Sequence, residues 1–300
     1  MRGLSTKFMT DLKTGMLKDF LIRVKEDDTL CLEIRNDYIN IYYRGGNIIK
    51  IEPEKSEYKI SFDINYCVNY KNEVSAILSN DYDRWASNIP VLKSEMDAYF
   101  HRNPKLEREF QQLVLRENNN SSIAKDTDYY ISDIEYANSE NHSRFDLLGI
   151  KWLSTSTSHK KADDIRLVFI EKKYGDAALV GSSGIKKHFD DLNTFMNDKN
   201  KVDNIYKETE DIFNQKIELG LIRDLKKPIT ISRNKPEFIL LIANHKPAKS
   251  VLQREINNVI KNSSYYAKLK KVVDMKIATA SYMGYGLYSE MMVDLETFKG

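Results

Sequence analysis

"RLVFIEKKYGDAAL", residues 166–179, joins an apolar run to three charges with no turn residue between them. Leu167 to Ile170 reads as a strand that calls for burial, and Glu171, Lys172 and Lys173 follow directly. Residues two apart on a strand share a face. Glu171 and Lys173 therefore point with Phe169, and Lys172 points the other way with Val168 and Ile170. An acid followed two positions later by lysine occurs five times in the chain: Asp11/Lys13, Glu57/Lys59, Glu171/Lys173, Asp224/Lys226 and Asp274/Lys276. The pattern alone is therefore uninformative, and only its setting singles out Glu171/Lys173.

That setting begins upstream. Asp146 interrupts the apolar run "RFDLLGIKW", where an unpaired carboxylate is costly. Before it, "DIEYANSENHSRFD" reads as a hairpin with its loop near Asn138 to Ser143. Folding that loop sets Glu135 opposite Asp146, with Cβ atoms ~5 Å apart on one face. If the three strands are neighbours, Glu135, Asp146, Glu171 and Lys173 converge. Three carboxylates in one place repel unless a cation joins them, and oxygen ligands of this kind suit Mg²⁺ or Mn²⁺. The lysine then orients or deprotonates a water, or steadies charge on a phosphorane. The reaction class is metal-assisted phosphodiester hydrolysis.

The order helix, strand, strand with Asp, strand with Glu-x-Lys, helix resembles the core of the PD-(D/E)XK nuclease superfamily. The resemblance spans roughly Glu107 to Asn200, extending toward Leu241, and includes uncharacterised bacterial members. It implies a restriction-endonuclease-like mixed sheet flanked by helices. It also implies metal binding by Asp146 and Glu171, with Glu135 as a further ligand, and a water-assisting role for Lys173. The family's proline is absent, since Phe145 precedes Asp146. Members often carry a glutamate on the helix before the first strand, and Glu107, Glu109 and Glu117 compete for that place. In "SSGIKKHFDDL", Lys187 and His188 stand early in a helix, where similar proteins contact substrate. A role in bacterial defence or DNA processing follows by resemblance alone.

The rest of the chain reads as α/β (α+β). Phe8, Leu12, Met16 and Phe20 mark a helix from about Thr6 to Val24. "TLCLEIR", "DYINIYYR", "NIIKIEP" and "EYKISFDINY" form an antiparallel β-meander, with turns at Asn36-Asp37 and Gly45-Gly46. Helical patterns follow from about Glu73, then strands and helices mix as a sheet with covering helices requires. This divides the chain into an accessory domain, 1–88, and a nuclease-like domain, 89–300.

Net charge is +2, but residues 215–271 hold 13 Lys or Arg against 4 Asp or Glu, an excess of 9. A basic segment suits a phosphate backbone, so nucleic acid, DNA first, is the expected partner. RNA is not separated from DNA, and there is room for a homodimer. Two cysteines, Cys31 and Cys67, make no disulfide framework. Apolar runs fall short of the ~18 residues of a membrane span, and the first twenty residues lack a signal-peptide pattern; a cytoplasmic protein is expected. "SYMGYGLY", residues 281–288, reads as core and turn or as a stacking platform for bases. "GSSG", Gly181 to Gly184, reads as a helix cap or an anion site. His101, His142, His159 and His245 show no zinc spacing. The alternative to an enzyme is the same fold with catalysis lost, holding nucleic acid or a protein.

Overall fold

A computed structural model describes every residue except 1, 70–73, 75–80, 138–143, 156, 159–161, 163, 246–250, 281–286, 288–291 and 299–300. It is a mixed α/β chain with one four-stranded and one six-stranded sheet. Its contacts form two compact units: Met1–Arg116 with Asp211–Pro228, and Glu117–Glu210 with Ile229–Gly300.

The first unit contains helices α1 (Thr6–Lys13) and α2 (Lys18–Glu26) and strands β1 (Leu30–Ile34), β2 (Ile39–Tyr43), β3 (Gly46–Glu54) and β4 (Glu57–Ser61). Helices α3 (Tyr82–Ser87) and α4 (Ile89–Arg102) follow. The strands form the antiparallel meander in the order β1-β2-β3-β4. Alternation buries Ile39 and Ile41 of β2 with Ile49 and Ile51 of β3, and these join Phe8, Leu12 and Phe20 of the helices in one core. The same core takes in Leu92, Met96 and Phe100 of α4, and the first unit runs on to Arg116. Ile212 and Leu219, far along the chain, belong to it too.

Two local readings shift. The single N-terminal helix breaks between Lys13 and Lys18, and Met16 at the break is 42% exposed. Gly15 allows the break, because a Cβ there would meet Asp11 Oδ1 at 2.4 Å and Asp11 Cα at 2.8 Å. The β2–β3 turn is Arg44-Gly45, with φ of 49° and 73°, rather than Gly45-Gly46. Positive φ at both central residues is what a tight hairpin turn demands. Neither Cys31 nor Cys67, both among the described residues, is in a disulfide, and burial, then the Glu33 charge, pushes the Cys31 thiol up to about 12.

The second unit holds β5 (Tyr129–Ala137), β6 (Arg144–Lys151), β7 (Arg166–Tyr174), β8 (Glu237–Ala243), β9 (Asp274–Ala280) and β10 (Val293–Asp294). The strand order is β10-β9-β8-β7-β6-β5. β6 is antiparallel to both β5 and β7; β7, β8 and β9 are mutually parallel, and β10 is antiparallel to β9. Helix α5 (Leu106–Asn119) precedes β5, and α6 (Ile185–Met196) and α7 (Lys199–Leu219) link β7 to β8. Helices α8 (Val251–Asn262) and α9 (Tyr266–Val272) link β8 to β9. The unit divisions fall within α5 and α7. No helix among the described residues is long and apolar enough to cross a membrane.

At one end of this sheet Tyr129 donates its hydroxyl to Glu237 Oε2 at 2.9 Å, and Lys151 donates to Glu237 Oε1 at 2.7 Å. Burial first, then the Glu237 charge, holds the Tyr129 phenol above its ordinary pKa. A raised phenol pKa gives stability that is complete below pH about 10 and lost as pH rises beyond it. The second unit is expected to unfold at lower urea at pH about 11 than at pH about 8, and Tyr129→Phe to remove part of that difference. Urea titrations followed by Trp152 fluorescence check this.

Candidate functional site

β7 is buried from Leu167 to Lys173, so it does not run out into solvent. Glu171 is 2% exposed, Lys172 0% and Lys173 4%. The face of Phe169, Glu171 and Lys173 receives α6. Phe169 meets Phe195 of α6 with ring centroids 5.9 Å apart. Phe238, opposite Phe169 in the β7–β8 register, meets Phe189 at 5.0 Å.

Ile185, Phe189, Leu192 and Phe195 form the buried stripe of α6. His188 lies beside that stripe, and its position follows from helical spacing. Lys173 Nζ donates to Glu171 Oε1 at 2.7 Å. His188 Nε2 lies 3.0 Å from the same oxygen, 2.8 Å from Lys173 Nζ and 3.0 Å from the Ser183 carbonyl oxygen. Those roles exclude one another. With a lone pair, Nε2 accepts from Lys173; with a hydrogen, it donates to Glu171 or Ser183. Burial alone raises the pKa of Glu171, but the His188 and Lys173 hydrogen bonds and charges outweigh it and hold the carboxyl below its ordinary value. The three side chains form one charge-assisted cluster, in which Glu171 and Lys173 are buried and His188 is half-buried.

Asp146 is half-buried on β6, and its Oδ2 accepts from the Lys172 backbone N–H at 2.9 Å. It lies one step beyond the Leu147↔Ile170 pair of the β6–β7 ladder. Glu135 falls between the pairs Ile134↔Leu147 and Tyr136↔Phe145, which sets it opposite Asp146. Its φ is 52°, a conformation uncommon outside glycine.

The other expected residues lie apart. Lys187 is on the solvent face of α6 and is paired with Asp191. That face is polar because the buried stripe occupies the other side. Glu109 holds Arg44 at 3.0 Å. Glu107 and Glu117 are half-buried on α5. The rival pair is split: Asp274 joins Lys235 at 2.7 Å, and Lys276 joins Asp294 at 2.6 Å. Gly181–Ser183 is a short 3₁₀ turn, and Gly184 precedes α6 without a side-chain cap. The 281–288 stretch, Leu287 apart, lies outside the described residues, as do His142, His159 and the 138–143 loop.

One arrangement had no signal in the residue spacing. His245 Nδ1 and Asp176 Oδ1 meet at 2.7 Å, just beyond the ends of β8 and β7. The turn residues Gly175 and Asn244 that precede them mark the strand ends but not the pairing.

Among the described residues no group of three His, Cys, Asp or Glu is placed to hold a metal ion. Mg²⁺ needs less: one or two carboxylates, with waters and substrate phosphates completing its shell. Asp146 and Glu171, on neighbouring strands, supply oxygen donors of that type, and the Glu171 carboxyl is held in its charged form. No family model, curated protein or solved structure matches the chain.

Proposed function

We propose that the chain is a metal-dependent nuclease acting on DNA, with a restriction-endonuclease-like second unit. One observation carries the reading: a carboxylate and an ammonium group, both almost wholly buried, lie on a central strand beside an aspartate from the next. Taking such ions out of water costs several kcal/mol each. A surface ion pair, the ordinary explanation of Glu-x-Lys, does not apply at 3% and 5% side-chain exposure.

Asp146 and Glu171 would hold Mg²⁺ or Mn²⁺, with Glu135 nearest in register to extend the set. When bound, such an ion polarises a phosphoryl oxygen and acidifies water. Lys173 donates hydrogen bonds, so it suits a water to be oriented and negative charge to be steadied. His188 fixes both partners from α6. On α8 and α9, Arg254, Lys261, Lys268, Lys270 and Lys271 are exposed, which suits contact with a phosphate backbone.

A second reading has its own support. Lys173 already neutralises Glu171 directly, and no three-ligand group is present among the described residues. Both fit a module that binds nucleic acid without cutting it.

Plasmid, linear duplex, single-stranded DNA and RNA, each with Mg²⁺, Mn²⁺ or EDTA, separate these readings. Wild type is expected to cut DNA with metal and not with EDTA. Asp146→Ala and Lys173→Ala are expected to lose about 10²–10³-fold while remaining folded by circular dichroism. Undiminished cutting by Lys173→Ala would remove the mechanism. Binding without cutting would select the module.

A further inference from the structure

The carboxyl ends of β7 and β8 carry a second polar pair outside the Glu171 cluster. The last ladder pair of these parallel strands is Tyr174↔Ala243. The next residue on each, Gly175 and Asn244, turns left-handed, with φ of 73° and 52°. Gly175 still donates its N–H to the Ala243 carbonyl at 2.8 Å. Both strands therefore bend at one level, and the bend brings Asp176 and His245 together with side chains only 12% and 6% exposed. In sheets with parallel strands, ligands gather outside the carboxyl ends.

The chemistry of the pair is directional. A carboxylate only accepts, so the hydrogen of the 2.7 Å bond belongs to Nδ1. In the neutral ring Nε2 then carries the lone pair, the polarity of an Asp–His pair that removes protons. Among the described residues of the proposed site, neither nitrogen group is a clear proton acceptor. Lys173 as an ammonium has no lone pair, and His188 Nε2 either accepts from Lys173 or donates to Glu171 or Ser183. Asp176 stands three residues past Lys173, no more than about 11 Å of extended chain.

We infer that His245 is the proton acceptor of the strand-end site and that Asp176 is its positioning residue; this rests on the hydrolytic reading above. The water oxygen bonds to phosphorus and the bond from phosphorus to the leaving oxygen breaks. One water proton passes to His245 Nε2, directly or through a second water. The leaving oxygen takes a proton from solvent, and Nε2 later returns its own.

Steady-state cutting of plasmid with Mg²⁺ tests this in wild type, His245→Ala, His245→Gln, Asp176→Asn and Lys173→Ala, with and without added imidazole. His245→Ala and His245→Gln are expected to lose at least about 10²-fold in kcat with KM little changed. Imidazole is expected to restore part of the loss in His245→Ala alone, which no structural role would produce. Asp176→Asn is expected to lose less, in kcat again. Wild-type kcat in His245→Ala beside an inactive Lys173→Ala would overturn this inference and leave the nuclease reading standing. A loss that imidazole does not touch, in both His245 variants, would assign His245 a structural role and overturn it equally. A wild type that cuts nothing would remove both readings together.

Discussion

Lys216→Met is expected to destabilise the first unit by about 3–5 kcal/mol, because it strands a buried carboxylate. Lys216 Nζ donates to Glu33 Oε1 at 2.7 Å, with side chains 2% and 0% exposed. Arg35 lies 3.9 Å from the other Glu33 oxygen. Burial drives the Lys216 pKa down, Glu33 pulls it up, and burial prevails. The pair is thus under strain from desolvation even when intact, which makes its net worth small. Breaking it is another matter, since the remaining ion then has its desolvation cost and has lost its main partner. Glu33→Leu with Lys216→Met removes both ions and is expected to recover most of the loss. The pair joins β1 to the end of α7, so it bears on how residues 211–228 are held within the first unit. The chain has two tryptophans, and Trp85 lies in the first unit and Trp152 in the second. Urea titration in a Trp152→Phe background reads the first unit alone, which matters because two units need not unfold in one step. An unchanged midpoint in Lys216→Met would show that water or a neighbour takes over the lysine's role.

The strands of the second unit were legible because their alternation is strong. β7 splits its charges between two faces as period-2 geometry requires. The hairpin length from Asp133 to Asp146 places Glu135 and Asp146 at one level, and both fall between the ladder pairs Ile134↔Leu147 and Tyr136↔Phe145. Helical period likewise sorts α6, although it separates the neighbours Lys187 and His188, one exposed and one beside the buried stripe. Burial of charge was not legible. Nothing in "EKK" distinguishes an exposed strand end from one covered on both faces, since cover comes from helices elsewhere in the chain. Lys216 is a similar case: on a mostly polar helix it reads as surface, yet it is wholly buried against β1. Asp176 and His245 are 69 residues apart, and only the parallel register of β7 and β8 brings them together. Unit division depends on the same long-range contacts, because Ile212 and Leu219 of 211–228 join the first core although residues 117–210 of the second unit lie between them and the rest of the first in sequence.

The second large effect concerns Glu171. Glu171→Gln is expected to abolish cutting and also to destabilise the second unit by about 3–5 kcal/mol, because Lys173 remains buried without its carboxylate. His188 does not replace that charge, since its ring carries either none or a positive one. Loss of activity in this variant is therefore ambiguous by itself: a cluster kept for stability and one kept for catalysis both fail. The double variant Glu171→Leu, Lys173→Met separates them. It removes the ion pair as a unit, and filling the space with apolar side chains is expected to return stability to within about 1–2 kcal/mol of wild type. If the cluster serves chemistry, the stable double variant stays inactive. Thermal unfolding followed by Trp152 fluorescence, measured beside plasmid cutting, gives both readouts on one sample. A destabilised Glu171→Gln that still cuts would reduce the cluster to a structural ion pair. A double variant that is stable and inactive leaves catalysis as the reason for burying two charges at the end of β7, because stability has been supplied without them.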